Sequence, residues 1–242
     1  MNPEDRIIIA LDVDTLDMAE KIVKATSPPA TYFKIGSTPF TSMGPDVVRM
    51  VKKHGAKVFL DLKWHDIPNT VAGAVSAAVS LGVDIINVHA TGGGDMMKAA
   101  KKAALETAAR LGTEPPLIIA VTVLTSFDDN SYAEATSSER NITEQVPYLA
   151  SLARDSGLDG VVASPREVPL IRRVVGDDFI IVTPGIRPSW AAKGDQKRIT
   201  TPADAIRLGS DYMVIGRPIY AADGPADALE KIISEIKQVD EQ

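Results

Sequence analysis

Short apolar runs recur along the chain and alternate with segments of helical spacing. The runs have the length and the β-branched content of buried strands. They number eight, at residues 6–12, 31–36, 57–63, 84–90, 117–124, 159–164, 179–185 and 211–216. Between them, apolar residues recur every three or four positions, as in residues 18–25, 45–54, 70–81, 96–111 and 226–237. That is the period of amphipathic helices, so the pattern predicts strands and helices in strict alternation.

Residues at the predicted boundaries support this alternation. Asp14-Thr15, Ser164-Pro165 and Thr201-Pro202 place a capping residue or an N1 proline where helices should begin. Eight strand-helix units of about 30 residues each have the size of a (β/α)8 TIM barrel, and no linker divides the chain. We therefore predict an α/β fold with one barrel domain over residues 1–242. No residue-level repeat is evident, and residues 126–141 and 187–199 are expected to be irregular loops on the active-site face.

Composition narrows the classes of function. The 242 residues are 45% hydrophobic and contain 32 acidic and 26 basic residues, a formal net charge of -6. Without a basic run, a nucleic-acid partner is not expected. The absence of cysteine excludes disulfides, thiolate nucleophiles and cysteine-bound metal. No run of about 18 apolar residues occurs, so we expect a soluble, cytoplasmic protein with no membrane partner.

Polar side chains gather near the carboxyl ends of the first four predicted strands. Because alternate residues of a strand share a face, the third strand should direct Asp61 and Lys63 inward above Phe59. The residues concerned are Asp12, Lys34, Asp61, Lys63, Asn87 and His89. The sequence therefore predicts a charged barrel mouth above an apolar layer, and we assign His89 to hydrogen bonding beneath that mouth.

The charged residues of the third strand favour decarboxylation. Lys63, between Asp61 and Asp66, should stay protonated because opposite charges favour the ammonium. A fixed ammonium can stabilise and protonate carbon that carries negative charge, while a nearby carboxylate can repel a substrate carboxylate and favour its loss as CO2. Two alternatives remain open: a structural ion-pair network, which would contribute little net stability, and a metal site built from Asp12, Asp61 and Asp66, with which the lysine would compete.

The last two predicted strands indicate a phosphate site. They end in TPGIRP and IGRP, and the loops after the seventh and eighth strands of barrels commonly bind phosphate. Backbone N–H groups at Gly185 and Gly216 could approach an anion, and Arg217 could add a charge-assisted hydrogen bond. The long cationic segment at residues 187–199 is suited to a lid that closes on a phosphorylated ligand.

Several motifs together resemble one known family, the bacterial-type orotidine 5'-phosphate decarboxylases, along essentially the whole chain. They are ALDVD (10–14), FKIG (33–36), DLKWHDIPNT (61–70), NVHATGG (87–93), VTVLTS (121–126), TPGIRP (183–188), GDQKR (194–198) and IGRPI (215–219). Related phosphate-binding barrels share only Asp-x-Lys-x-x-Asp. The resemblance implies cofactor-free, metal-free conversion of orotidine 5'-monophosphate (OMP) to UMP in pyrimidine biosynthesis.

The resemblance also implies roles for single residues. Lys63 would protonate C6 of the pyrimidine, flanked by Asp61 and Asp66, with Lys34 completing the charged array. The implied substrate contacts are Asp12 and Lys34 at the ribose, Thr125 and Ser126 at the pyrimidine, and Arg187, Gln196, Gly216 and Arg217 at the phosphate. Asp66, Ile67 and Thr70 would enter the site of the other subunit in a homodimer.

Two other functions are compatible with such a barrel. One is a metal-dependent phosphosugar epimerase, aldolase or keto-acid decarboxylase. The other is a non-catalytic module that binds phosphorylated ligands, although a binder has no need of two carboxylates around a lysine.

Overall fold

A computed structural model describes residues 1–191 and 200–240, with the side chain of residue 240 excepted. Eight parallel strands close into a barrel in chain order, with β8 paired to β1. The strands are β1 (Ile7–Ala10), β2 (Tyr32–Gly36), β3 (Lys57–Trp64), β4 (Ile85–His89), β5 (Leu117–Val121), β6 (Gly160–Val162), β7 (Ile180–Thr183) and β8 (Tyr212–Ile215). The predicted (β/α)8 class and all eight strands are confirmed.

Helices cover the outside of the barrel. In the described part of the chain they are α1 (Leu16–Thr26), α2 (Ser37–Met43), α3 (Asp46–Lys53), α4 (Pro68–Ser80), α5 (Gly93–Leu111), α6 (Asp129–Thr136), α7 (Ile142–Asp155), α8 (Val168–Val175), α9 (Pro202–Arg207), α10 (Arg217–Tyr220) and α11 (Pro225–Asp240). None of these helices combines the length and the apolar character that crossing a membrane requires.

One predicted loop is wrong. Residues 126–141 contain α6, whose N-terminus has a reciprocal capping box between Asp128 and Ser131. Its polar sequence, DNSYAEAT, carries a weak apolar stripe, and Tyr132 alone of its side chains is fully buried. The capping box and the buried Tyr132 stabilise this short helix. Its apolar periodicity is too weak to predict it.

The strand periodicity separates two apolar layers. Ile8, Tyr32, Phe59 and Ile85 fill the barrel interior, together with side chains from β5, β7 and β8. Their sequence neighbours pack outward against the helices, as Val58 and Leu60 do. Because the inward positions recur with period two, the next inward residues of β2, β3 and β4 are the polar Lys34, Asp61 and Asn87.

The opposite end of the barrel contains a repeat that the sequence analysis missed. A Gly-x-Asp tripeptide precedes three alternate strands, at residues 82–84, 157–159 and 209–211. Each glycine has a positive φ, between 76° and 98°, and ends the preceding helical segment. Three residues recurring at unequal intervals are too short a pattern to detect without knowing which strands they precede.

Each aspartate of this repeat joins two strands and a helix. Its carboxylate accepts a backbone N–H of the preceding strand at 2.7 Å, and its own N–H donates to the carbonyl of that same residue. A basic side chain completes each unit. The three units are Asp84 with Val58 and Lys52, Asp159 with Ile118 and Lys101, and Asp211 with Ile181 and Arg172.

We expect Asp159→Ala to lower the free energy of unfolding by about 2 to 4 kcal/mol. The substitution leaves the partly buried Lys101 ammonium and the backbone N–H of Ile118 without their acceptor. Both Asp159 oxygens accept from Lys101 Nζ, at 2.6 and 2.7 Å. Denaturant unfolding measures the loss. The control is Glu106→Ala, which removes the exposed 3.8 Å pair with Lys102 and should cost less than about 1 kcal/mol. Equal losses in the two variants would contradict a special role for Asp159.

Candidate active site

Three neighbouring strands bring four charged side chains into one chain of contacts at the barrel mouth. Lys63 Nζ lies 2.6 Å from Asp61 Oδ1, and Lys34 Nζ lies 3.4 Å from Asp61 Oδ2. Lys34 Nζ also donates to Asp12 Oδ1 at 3.2 Å. Acidic and basic groups therefore alternate in the order Asp12, Lys34, Asp61, Lys63.

The depth of these groups argues against a purely structural plug. Lys34 and Asp61 are nearly enclosed, with side chains 12% and 11% exposed, whereas those of Lys63 and Asp12 are 38% and 49% exposed. An enclosed pair thus supports two charges that face the open mouth. Enclosed ion pairs add little net stability, so this arrangement suits a site that acts on a charged ligand.

Gly36 makes room for the enclosed ammonium, which sequence reasoning did not anticipate. A Cβ atom at residue 36 would lie 2.9 Å from Lys34 Nζ and 3.8 Å from Asp12 Oδ1. Gly36 is the last residue of β2 and pairs with Asp61 of β3. A side chain here would compete with Lys34 for the space between the two carboxylates.

The strand that carries Lys63 is irregular at that residue. Between β3 and β4 the register advances by four residues on one strand and two on the other, from Leu60 opposite Ile86 to Trp64 opposite Val88. Lys63 has φ of +52°, a left-handed conformation that costs about 1 to 2 kcal/mol for a residue with a Cβ. The direction of the Lys63 side chain is therefore set by a bulge and not by simple strand alternation. Bulges are common beside active sites.

A side-chain amide closes the gap that the bulge leaves. Asn87 Oδ1 accepts the backbone N–H of Lys63 at 2.9 Å, and Asn87 Nδ2 donates to Asp61 Oδ1 at 2.6 Å. Strand parity predicts Asn87 at the mouth but indicates no role for it.

Asp66 does not join this cluster within one chain. It lies on the exposed turn after β3, where its Oδ1 accepts the N–H of Ile67 at 2.6 Å. The expectation from the spacing, a lysine held between Asp61 and Asp66, is therefore met only on the Asp61 side. Ile67, with 66% of its surface exposed, and Thr70 also face outward. Three exposed residues of differing chemistry at the turn and the start of α4 are suited to an intermolecular contact.

Of the residues predicted to bind phosphate, Gly216 lies beside the end of β1. Gly216 lies at the start of α10, and a Cβ there would be 3.5 Å from Ala10 Cβ and 3.8 Å from Asp12 Oδ2. Arg217 follows on the exposed surface. Arg187 is buried, and its backbone N–H donates to the carbonyl of Thr200 at 3.0 Å. This bond fixes the base of the 187–199 segment, most of which, including Gln196, lies outside the described residues.

Thr125 and Ser126 form an exposed turn that follows the end of β5 by three residues. The turn is closed by the N–H of Phe127, which donates to the carbonyl of Leu124 at 3.0 Å. It lies at the carboxyl ends of the strands, on the same face as Lys63.

His89 differs from its predicted role. Within residues 1–191 and 200–240 its ring makes no hydrogen bond and stacks instead on His65, with centroids 5.5 Å apart and planes at 28°. Burial lowers the pKa of His89 below its ordinary value, and the nearby His65 and Lys63 act in the same direction. The ring is therefore favoured in its neutral form beside the ammonium.

The described residues do not support the metal alternative. Among them, no group of three or more His, Asp or Glu side chains is arranged to hold an ion. Lys34 lies between Asp12 and Asp61, and Asp66 lies on the exposed turn after β3.

Comparison with known proteins identifies close relatives. The family model described as "Orotidine 5'-phosphate decarboxylase / HUMPS family" matches residues 5–232. A protein of Moorella thermoacetica named orotidine 5'-phosphate decarboxylase is 54% identical over 99% of this chain and 95% of its own. One of the same name from Syntrophotalea carbinolica is 52% identical over 96% of this chain and 94% of its own.

Solved structures share the architecture. The crystal structure of orotidine 5'-phosphate decarboxylase from Lactobacillus acidophilus has a TM-score of 0.85 and 39% identity, covering 96% of this chain and 99% of that one. An uncharacterized conserved protein from Geobacillus kaustophilus has a TM-score of 0.84 and 37% identity, covering 95% of this chain and 99% of that one.

Proposed function

The chain belongs to the orotidine 5'-phosphate decarboxylase family, and on that premise we propose a cofactor-free mechanism in which Lys63 is the proton donor. The enzyme is a carboxy-lyase that converts OMP to UMP in pyrimidine biosynthesis. The observation that carries the mechanism is the 2.6 Å contact between Lys63 Nζ and Asp61 Oδ1 at an open, charged barrel mouth. Assay of OMP turnover by Lys63→Ala tests it.

The chemical step needs one proton and no electron acceptor. The bond between C6 and the carboxyl carbon breaks, CO2 leaves, and the electron pair stays on C6. The ammonium of Lys63 stabilises this charge and transfers a proton to C6, leaving a neutral amine that solvent reprotonates. Asp61, which Lys34 contacts, would repel the substrate carboxylate and favour its departure.

The phosphate of the substrate supplies binding energy far from C6. Arg217, the Gly216 backbone and Arg187 would bind it, with Gln196 as the implied fourth contact. Losing CO2 without an electron sink demands an acceleration of on the order of 20 kcal/mol, more than one lysine can provide. Binding at the phosphate would therefore contribute in the transition state.

The remaining substrate contacts follow from position. Asp12 and Lys34 lie between Lys63 and the phosphate side, where the ribose of a bound nucleotide must pass. Thr125 and Ser126, on the turn after β5, would approach the pyrimidine from the opposite side of the mouth.

We also propose a homodimer with shared active sites. Asp66, Ile67 and Thr70 are exposed, and they would complete the site of a second subunit. In that site Asp66 would flank Lys63 opposite Asp61. Residues 1–242 would act as one domain in the cytoplasm.

Arg217→Ala should weaken recognition of the phosphate while leaving the fold intact. Hydrogen bonds to charged groups contribute about 1.5 to 3 kcal/mol. We therefore expect kcat/KM for OMP to fall roughly 10- to 150-fold, measured by steady-state kinetics. The control is Arg207→Ala, which removes an exposed arginine paired with Asp204 and should leave kcat/KM unchanged. An unaltered kcat/KM in Arg217→Ala would contradict the role given to this side chain.

A further inference from the structure

Asn87 occupies an inward position of β4 directly beside the charged cluster. It is 1% exposed, and it follows Ile85 of the apolar interior by one strand period. A buried amide must find partners at both of its ends. Here both partners belong to the reacting strand: the backbone N–H of Lys63 and the carboxylate of Asp61.

These two partners fix the orientation of the amide. The backbone of Lys63 offers only a donor, and the Asp61 carboxylate offers only acceptors. The Asn87 carbonyl must therefore face Lys63 and its NH2 group must face Asp61. Aspartate would put a second negative charge against Asp61, and an apolar residue would leave both partners without the hydrogen bonds that they now make.

The bond to Lys63 holds an unfavourable backbone conformation. At the β3 bulge the ladder to β4 is interrupted between Leu60 and Trp64, so the Lys63 N–H is paired with the Asn87 side chain instead of a strand carbonyl. Lys63 is one of two non-glycine residues in the described ranges with a positive φ. Such a conformation persists only where the surroundings enforce it.

The bond to Asp61 sets the position of the carboxylate. Asp61 Oδ1 accepts from both Asn87 Nδ2 and Lys63 Nζ, each at 2.6 Å. Its other oxygen is thereby directed to Lys34, at 3.4 Å. The Asn87 amide thus fixes the backbone of Lys63 directly, and it fixes the position of the Lys63 ammonium through Asp61.

We propose that Asn87 is a positioning residue for decarboxylation, which links the strained backbone of Lys63 to the carboxylate of Asp61 and so places the ammonium at C6. The inference rests on the proposed function, in which Lys63 donates the proton. Asn87 itself need not touch the substrate.

The first test is Asn87→Ala, assayed for kcat and for binding of UMP. Misplacing a catalytic group by about 1 Å can cost on the order of 100-fold. We expect kcat for OMP to fall about 100-fold while the Kd of UMP, which depends on the distant phosphate contacts, changes less than about threefold. The control is Thr107→Val, which removes a buried hydroxyl bonded to Ser76 on the helix side and should alter neither quantity.

A second variant separates positioning from packing. Asn87→Asp keeps the size and the acceptor for Lys63 N–H but cannot donate to Asp61. Its kcat should fall at least as far as that of Asn87→Ala, again with UMP binding retained. If either variant is not folded by circular dichroism, Asn87→Ser, which can serve one partner but not both, takes its place with an intermediate loss of kcat.

The outcomes distinguish failure of the positioning role of Asn87 from failure of the proposed function. Wild-type kcat in a folded Asn87 variant, or equal losses in kcat and UMP affinity, would overturn the positioning role while leaving the role of Lys63 intact. Full turnover in Lys63→Ala would instead overturn the proposed function itself, whatever Asn87 does.

Discussion

The Lys63→Ala variant should fold normally, bind UMP and convert OMP at least about 10⁴-fold more slowly than the wild type, since it removes both a general acid and a fixed positive charge. The truncation leaves the bulge, Asn87 and the phosphate side in place. Loss of OMP absorbance measures turnover, and calorimetric titration with UMP measures binding. A large fall in kcat with retained UMP binding would assign the loss to the chemical step.

The control for this experiment is Lys53→Ala, because Lys53 lies in the last turn of α3, outside the charged cluster. Its kcat should equal that of the wild type. Assays of the wild type in EDTA form a second arm, in which the rate should not change. Turnover by Lys63→Ala within tenfold of the wild type would contradict its role as proton donor, and a rate that falls in EDTA and returns with Mg²⁺ would favour metal-dependent chemistry.

The period of the apolar residues was sufficient to predict the barrel and most of its mouth. Two-residue alternation runs unbroken through β1, β2 and the first half of β3, so the inward parity of Asp12, Lys34 and Asp61 follows directly from that of Ile8, Tyr32 and Phe59. These three strands are also adjacent in space because neighbouring units of a barrel pair in chain order. The contacts of Lys34 with Asp12 and Asp61 are the consequence.

The features that the sequence did not reveal depend on backbone irregularity or on tertiary context. The bulge at Lys63 has no sequence signal, because lysine has no preference for a positive φ. Its cost is met by Asn87, 24 residues away. The Gly-x-Asp repeat likewise becomes visible only when each aspartate is seen against the N–H group of the preceding strand. His89 was expected to hydrogen-bond, but the neighbouring His65 offers a ring face instead.

Asp66 shows a different limit of prediction from sequence, because its carboxylate bonds to the N–H of Ile67 and not to the nearby lysine of the motif. Asp61, Lys63 and Asp66 lie within six residues, yet the strand ends between the second and the third of them. Beyond that point an exposed turn connects β3 to α4. In the proposed homodimer, two carboxylates that are close in sequence would therefore serve sites on different subunits.

Two inactive variants should restore activity to each other if Asp66 acts across the dimer. Lys63→Ala and Asp66→Ala, co-expressed with different tags and isolated as heterodimers, place both defects in one site and leave the other site intact. We expect each homodimer to be nearly inactive and the heterodimer to reach about half of the wild-type turnover per dimer, since one of its two symmetric sites is complete. Gel filtration establishes the dimer, and OMP absorbance gives its rate.

The matched control pairs Lys63→Ala with Asp61→Ala, two residues that contact each other within one chain. In that heterodimer each site retains one defect, so no activity should return. Recovery in the first pair but not in the second would assign Asp66 to the partner's site and Asp61 to its own. If both heterodimers stay inactive, Asp66 serves its own subunit, and the active sites are not shared. Full activity in the Asp66→Ala homodimer would mean that this carboxylate is not required at all.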